Sequence, residues 1–284
     1  MLLLVRWLAG RSLRFLHALG ALLGWAGYAF SPSYRRRLDA NAALAGLGAA
    51  ERRAAVAEAG KLVAELPRLW LRPRDRAIDD PVRWEGEALL DELLARGKGL
   101  VLLTPHMGSF EVSAQAYAER FGARQPITVL YRPARQAWLR DLEETARARP
   151  ALATAPATLA GVRQMLRALK KGETVGLLPD QVPPDGLGVW APFFGQPAYT
   201  MTLAARLVQQ TGAAVAVLVT ERLPRGAGYV VRALPLSEPL PAQADDAASA
   251  AAINRAMEAV IRLRPAQYLW GYHRYKAPRQ VEAA

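Results

Sequence analysis

Apolar positions change their period along the chain, and those changes mark out its elements. Residues Phe15 to Tyr34 run for twenty positions without Asp, Glu, Lys or Arg. A spanning helix needs roughly 20 mainly apolar residues, so this run is just long enough, and Ser31-Pro32-Ser33 trims its end. From Tyr34 to Leu66 apolar residues recur with helical spacing, at Leu44, Leu47, Val56, Leu62, Val63 and Leu66, with a break near Gly46–Gly48 and a stop or kink at Pro67. Pro73 and Pro81 mark a loop. Beyond it, short apolar runs alternate with amphipathic stretches. Strands are predicted at Gly99–Thr104, Pro126–Tyr131, Glu173–Pro179, Ala213–Thr220 and Tyr229–Leu234. Helices are predicted at Glu87–Ala95, Glu111–Phe121, Gln136–Arg147, Leu159–Lys171, Thr202–Gln210 and Ala247–Arg264. This alternation implies an α/β fold, with a mixed, mainly parallel sheet flanked by helices. The domain reading is an N-terminal anchor helix within 1–34 and one folded domain over 35–284.

Composition narrows the chemistry. The 284 residues are 52% hydrophobic, enough for a sizeable core. The absence of cysteine excludes disulfides, Cys-ligated zinc, iron–sulfur clusters and thiol catalysis, and three histidines argue against a multi-His metal site. Neither a metal nor a cofactor is expected. The formal charge of +12 points to an anionic partner. Part of it flanks the apolar N-terminal run, at Arg6, Arg11, Arg14, Arg35, Arg36 and Arg37, with no acid before Asp39. With Trp25 and Tyr28 near one end, that pattern suits a segment spanning the membrane or lying in its interface; a buried core helix is the competing reading. Charge on both sides leaves its orientation open. No RNP, KH, zinc-finger or evident helix-turn-helix pattern accompanies the scattered arginines, so nucleic acid is not the expected partner.

In open α/β sheets, ligands gather at the carboxyl ends of the strands. Three such ends carry reactive or charged residues beside a proline: Thr104-Pro-His106, Tyr131-Arg132-Pro133 and Leu178-Pro-Asp180-Gln181. The first opens the stretch His106-Met-Gly-Ser-Phe-Glu111. On one continuous helix these two residues would point apart, so His106 is expected in the loop after the strand and Glu111 one turn into the next helix, its carboxylate reaching back to the imidazole. The helix N-terminus around Gly108 and Ser109 offers backbone N–H groups for an oxyanion. No nucleophile elbow of the G-x-S-x-G type is present.

The run TPHMGSFE resembles the H-x4-D/E motif of glycerolipid-type acyltransferases. With YRP, LPDQ, PFFG and the ending QYLWGYHRYK in the same order, the chain is similar to the lipid A biosynthesis acyltransferase family, from its N-terminus to about Lys276. The resemblance implies a membrane-bound O-acyltransferase at the bacterial inner membrane, with its catalytic domain on the cytoplasmic side. It implies His106 as general base, Glu111 as its orienting partner, and direct attack of an acceptor hydroxyl on an acyl thioester. Arg132 matches the arginine of YRP and is expected to hold a phosphate. Asp180 is expected to orient the acceptor or brace Arg132, with a plain strand-end cap as the alternative. The chain lacks the FPEG-like block and following Arg of glycerol-3-phosphate-type relatives. Phe193 and Phe194 are expected either to entrain the acyl chain or to be ordinary core, and Lys170-Lys171 to meet an acidic carrier or to complement a helix end. The implied partners are acyl-carrier protein as donor and an anionic glycolipid or phospholipid as acceptor. The alternatives are an acyl-CoA-dependent lysophospholipid or other lipid acyltransferase, and a non-catalytic basic protein that binds membrane or nucleic acid.

Overall fold

The computed structural model describes residues 2–132, 136, 149–241, 243 and 245–280. Four helices come first: α1 (Leu2–Ala9), α2 (Leu13–Phe30), α3 (Pro32–Leu44) and α4 (Ala49–Trp70). The α/β part follows as β1 (Val82–Glu85), α5 (Glu87–Ala95), β2 (Leu100–Leu103), α6 (Phe110–Phe121), β3 (Ile127–Tyr131), β4 (Leu152–Pro156), α7 (Leu159–Lys170) and β5 (Thr174–Leu177). A hairpin of β6 (Gly188–Phe193) and β7 (Gln196–Met201) leads to α8 (Leu203–Thr211), β8 (Ala214–Arg222), β9 (Tyr229–Leu234) and α9 (Asp246–Ile261). The expected helix at Gln136–Arg147 falls largely outside the described residues.

Among the described residues, seven strands form one sheet in the order β1-β9-β8-β2-β5-β3-β4. Every neighbouring pair is parallel except β8 with β9, so the expected mixed, mainly parallel sheet is the one observed. Burial on both faces explains the unbroken apolar strands. Leu100 and Leu102 of β2 pack with α5 and α6, whereas Val101 and Leu103 join the cluster of α7, α8 and α9. The β6–β7 hairpin stands apart from this sheet.

The N-terminal run behaves differently from a free-standing anchor. Among the described residues, no helix is long and apolar enough to cross a membrane. One face of α2 is buried, through Leu13, Leu16, His17, Gly20 and Gly24, and it lies directly on α4. Backbones meet there. A Cβ at Gly60 would sit 1.9 Å from the Gly20 carbonyl oxygen, and one at Gly24 would sit 2.3 Å from that of Val56. The boundary at residue 34 therefore falls inside a packed helical layer. The other face of α2, with α1, leaves Leu3, Leu4, Trp7, Leu22, Leu23 and Phe30 exposed, Phe30 to 88%. Pro67 does not end α4, which continues for three residues to Trp70. Proline removes one N–H here in the last turn, and the Leu71 N–H still reaches the Pro67 carbonyl at 3.0 Å.

Gly60→Ala should lower the thermal midpoint by lifting α2 off α4, at a cost of about 1–3 kcal/mol, as overpacking does. A melt followed by circular dichroism reads this directly, and an unchanged midpoint would contradict the close approach.

Candidate active site

The register of β2 against β5 builds the site. Leu103 pairs with Leu177, and the Thr104 N–H continues the ladder to the Leu177 carbonyl at 3.0 Å. Three residues further along each strand come His106 and Asp180, which therefore face each other. Asp180 grips His106 twice. Its Oδ2 accepts the His106 main-chain N–H at 2.9 Å, and its Oδ1 meets the imidazole Nδ1 at 2.7 Å. The acid is 1% exposed and the imidazole 17%. The edge of the Phe110 ring, 5.0 Å away between centroids, packs against the imidazole.

Burial alone would raise the Asp180 carboxyl. The imidazole's charge and hydrogen bonds, the main-chain N–H of His106 and the more distant Arg274 overcome this and hold it below the usual carboxylate range. Asp180 is thus an anion that accepts the Nδ1–H, and the neutral ring with that tautomer carries its free lone pair on Nε2.

The carboxylate on Nδ1 is that of Asp180, because two adjacent parallel strands deliver His106 and Asp180 to the same level. Glu111 lies in the first turn of α6, half-buried. Gly108 and Ser109 do not offer amides for an oxyanion. The Gly108 N–H is spent on the Gln267 carbonyl and the Ser109 N–H on that of Thr220, both at 2.9 Å, and both residues are buried. Gly108 has φ +55°, and a Cβ there would lie 1.8 Å from the Thr220 carbonyl oxygen, so the turn is pressed flat against β8.

The remaining residues divide by position. Val129 of β3 pairs with Gly176, so Arg132 follows the strand next to β5, exposed on the same edge of the sheet. Its charge acts on Tyr272 and Lys276 of the C-terminal segment. That segment reaches the site too: the Leu269 N–H binds the His106 carbonyl at 3.1 Å, and the Tyr272 hydroxyl accepts the Val182 N–H at 3.0 Å. Phe193 is buried core, in ring contact with Tyr268 and Tyr275. Phe194 turns the hairpin at φ +46°, held by its N–H to Glu258 Oε1 at 2.7 Å. With Leu47, Ile261 and Trp270 it lines a cavity of about 250 Å³. Lys170 and Lys171 close α7 just before β5 begins, at the end of the sheet opposite His106. His273 is exposed near Arg37 and Lys276. Among the described residues, no three His, Asp or Glu side chains group to hold a metal ion.

Buried Arg274 escaped the sequence reading. It donates to the Tyr199 carbonyl and to Thr200 Oγ1, each at 2.7 Å, and ties the hairpin to the C-terminal segment. Its only sequence signal is its place in the aromatic–basic ending.

In chemical terms the arrangement is an imidazole held by a buried carboxylate at the carboxyl edge of a parallel sheet, with an exposed arginine following the strand next to β5. The comparisons agree with that class. The chain belongs to the bacterial lipid A biosynthesis acyltransferase family, whose pattern matches residues 2–277. It is 31% identical over 214 residues to the lipid A biosynthesis lauroyltransferase of Escherichia coli K12, covering 73% of this chain and 65% of that protein. It is 28% identical over 221 residues to the palmitoleoyltransferase of the same strain, covering 76% and 68%, and equally to a lipid A biosynthesis acyltransferase of Shigella flexneri. The aligned part thus spans about two thirds of each relative's length.

The depressed Asp180 carboxyl fixes a sign. A lowered carboxylate adds stability that is complete above its ordinary range and is lost as the pH falls through the lowered value. Asp180→Asn should therefore be less stable than wild type at neutral pH, and the gap should close below about pH 4. Urea unfolding at stepped pH measures it, and a gap independent of pH would contradict an ionised, paired Asp180.

Proposed function

We propose that the protein is a membrane-associated O-acyltransferase that moves a fatty acyl group from an acyl-carrier-protein thioester to a hydroxyl of a lipid A precursor. The observation that carries this reading is the imidazole of His106 fixed through Nδ1 by a buried anion. An acceptor hydroxyl is almost wholly protonated near neutral pH, so attack on a thioester carbonyl requires proton removal in the transition state. Nε2 of His106 takes that proton, and Asp180 stabilises the imidazolium that forms. The oxygen attacks the thioester carbon directly, and the thiol leaves with a proton returned from the ring. No covalent acyl-enzyme is needed.

Glu111 enters as the second carboxylate of the site, acting on the acceptor side and not on Nδ1. Arg132, exposed on the same edge, binds a phosphate of the acceptor or of the donor's pantetheine arm through its planar fork of donors. Phe194 forms a wall for the acyl chain, a role its place in the cavity beside Leu47, Ile261 and Trp270 supports, whereas Phe193 serves the core. The carrier meets the face that holds Arg132 and Lys276, since Lys170 and Lys171 lie at the far end of the sheet. The exposed apolar residues of α1 and α2, with Arg6, Arg11 and Arg14 around them, lie in the interface of an anionic bilayer. The catalytic domain then works on the cytoplasmic side of the inner membrane.

Acyl transfer to a lipid A precursor, assayed with carrier and CoA thioesters in parallel, tests the reaction. His106→Ala should lose about 10²- to 10⁴-fold in kcat, the usual contribution of a positioned base. Asp180→Ala should approach that loss, and the double variant should be little worse than His106→Ala, because the two residues share one task. Glu111→Gln combined with Asp180→Asn should instead multiply the single losses. Full turnover in His106→Ala would sink the mechanism.

The bilayer contact has its own test. Leu22→Asp with Leu23→Asp should leave the melt unchanged, since both side chains are more than half exposed, yet abolish co-sedimentation with anionic liposomes. Retained binding would remove α2 from the interface.

A further inference from the structure

One buried charge cluster has no part in the proton transfer just described. The Arg222 side chain, at the end of β8, is 1% exposed, and its partner Glu65 of α4 is 0% exposed. The two form a fork-to-fork pair, Nε to Oε2 and Nη2 to Oε1, each at 3.0 Å. Nη1 reaches Glu58 Oε2 at 2.7 Å. His17 of α2 closes the cluster, its Nε2 lying 3.0 Å from Glu65 Oε2. The Tyr229 hydroxyl also donates to Glu65 Oε2 at 3.4 Å, and one further contact leads to the active site: Arg222 Nη2 donates to the carbonyl of Gly108 at 2.8 Å.

That carbonyl belongs to the turn that carries His106. Its neighbours are fixed by the same strand end. The Gly108 N–H goes to the Gln267 carbonyl, while the Gln267 side chain bridges the Arg222 main chain, accepting its N–H at 2.9 Å and donating to its carbonyl at 2.8 Å. A buried ion pair is a poor way to gain stability, because an apolar pair of similar volume often does as well. Its special property is direction, since a guanidinium aims several donors at once along fixed lines.

We infer that Arg222 is a positioning residue for the reaction: aimed by Glu65 and Glu58, it pins the Gly108 carbonyl and so sets where the His106 imidazole stands. His17 extends the same cluster into α2, which ties the helical layer that bears the exposed apolar face to the catalytic turn. The inference rests on His106 being the base. It adds that the base is located from two sides, by Asp180 on its ring and by Arg222 on its turn. The charges agree with this arrangement. Burial opposes both ions, yet Glu65 is held below and Arg222 above its ordinary range by the other.

Two variants of the full chain test the role, assayed with the carrier thioester and a lipid A precursor. Glu65→Met with Arg222→Met replaces the pair by apolar side chains of similar length, which preserves the fold while releasing the Gly108 carbonyl. Arg222→Lys keeps the charge, but one ammonium cannot serve both carboxylates and the carbonyl. In each, kcat should fall about 10- to 100-fold, the scale set by a misplacement of about 1 Å, with KM for both substrates unchanged. A merely structural role would make activity follow the melting midpoint instead. Wild-type kcat in the folded double variant, or in Arg222→Lys should the double fail to fold, would overturn the positioning role. His106→Ala run alongside separates the two claims, because turnover there would overturn the base assignment itself.

Discussion

The parallel register of β2 on β5 is the constraint from which the site follows. With Leu103 against Leu177, the chains leave the sheet in step, Thr104-Pro-His106 beside Leu178-Pro-Asp180. The prolines keep both exits extended and stop either strand from curling into a helix at once. His106 and Asp180 then meet at hydrogen-bonding distance without a loop having to bring them together. A slip of one residue would turn Asp180 toward the other face and leave the imidazole without its anion. The reactive geometry thus inherits the rigidity of the sheet's central strands, which are buried on both faces.

Burying Asp180 to 1% exposure costs solvation, and the cost has a purpose. A solvated carboxylate would hold the ring loosely and share it with water. A buried one is held to His106 by two hydrogen bonds, one from the ring and one from the main chain. The Arg222–Glu65 pair follows the same logic further out, with a desolvated charge given a directional partner. The two devices differ in reach. Asp180 acts within the strand ends, whereas Glu65 and His17 belong to α4 and α2, and so join the active-site turn to the N-terminal layer.

Much of the alternating pattern was legible because each central strand is a short apolar run flanked by glycine or proline. The elements that escaped are those whose pattern is weak for a physical reason. Val82–Glu85 is an edge strand of four residues with alternating exposure, and Leu152–Pro156 ends in proline. The β6–β7 hairpin sets Pro192 opposite Pro197, a composition that argues against a strand wherever both edges need partners; a two-stranded ribbon leaves each strand one free edge. His106, Arg132 and Asp180 stood out as strand-end residues. Their pairing did not, because neighbouring strands are set by tertiary contacts. The signal was nonetheless present in outline: VLLTPH and VGLLPD align residue for residue, with proline before the reactive group in both. His17 read as one more residue of an apolar run, since nothing local reveals that Glu65, 48 positions later, lies against it.

An enzyme that moves an acyl group between two large amphiphiles has little need of chemical variety within its own chain. With the proposed thioester donor the acyl group is already activated, and the protein's share is proton removal, placement and a dry surface. The residues observed match those needs in kind: an imidazole held by a buried carboxylate, a buried ion pair bonded to its turn, an arginine exposed at the sheet edge, and an apolar helical face. The lack of any cysteine is consistent with that economy, because a direct transfer has no use for a second nucleophile. What such a site must guard against is water, which would compete with the acceptor hydroxyl for the same base. The turn at Gly108 and Ser109 is itself buried, closed by β8 on one side and by the C-terminal segment on the other.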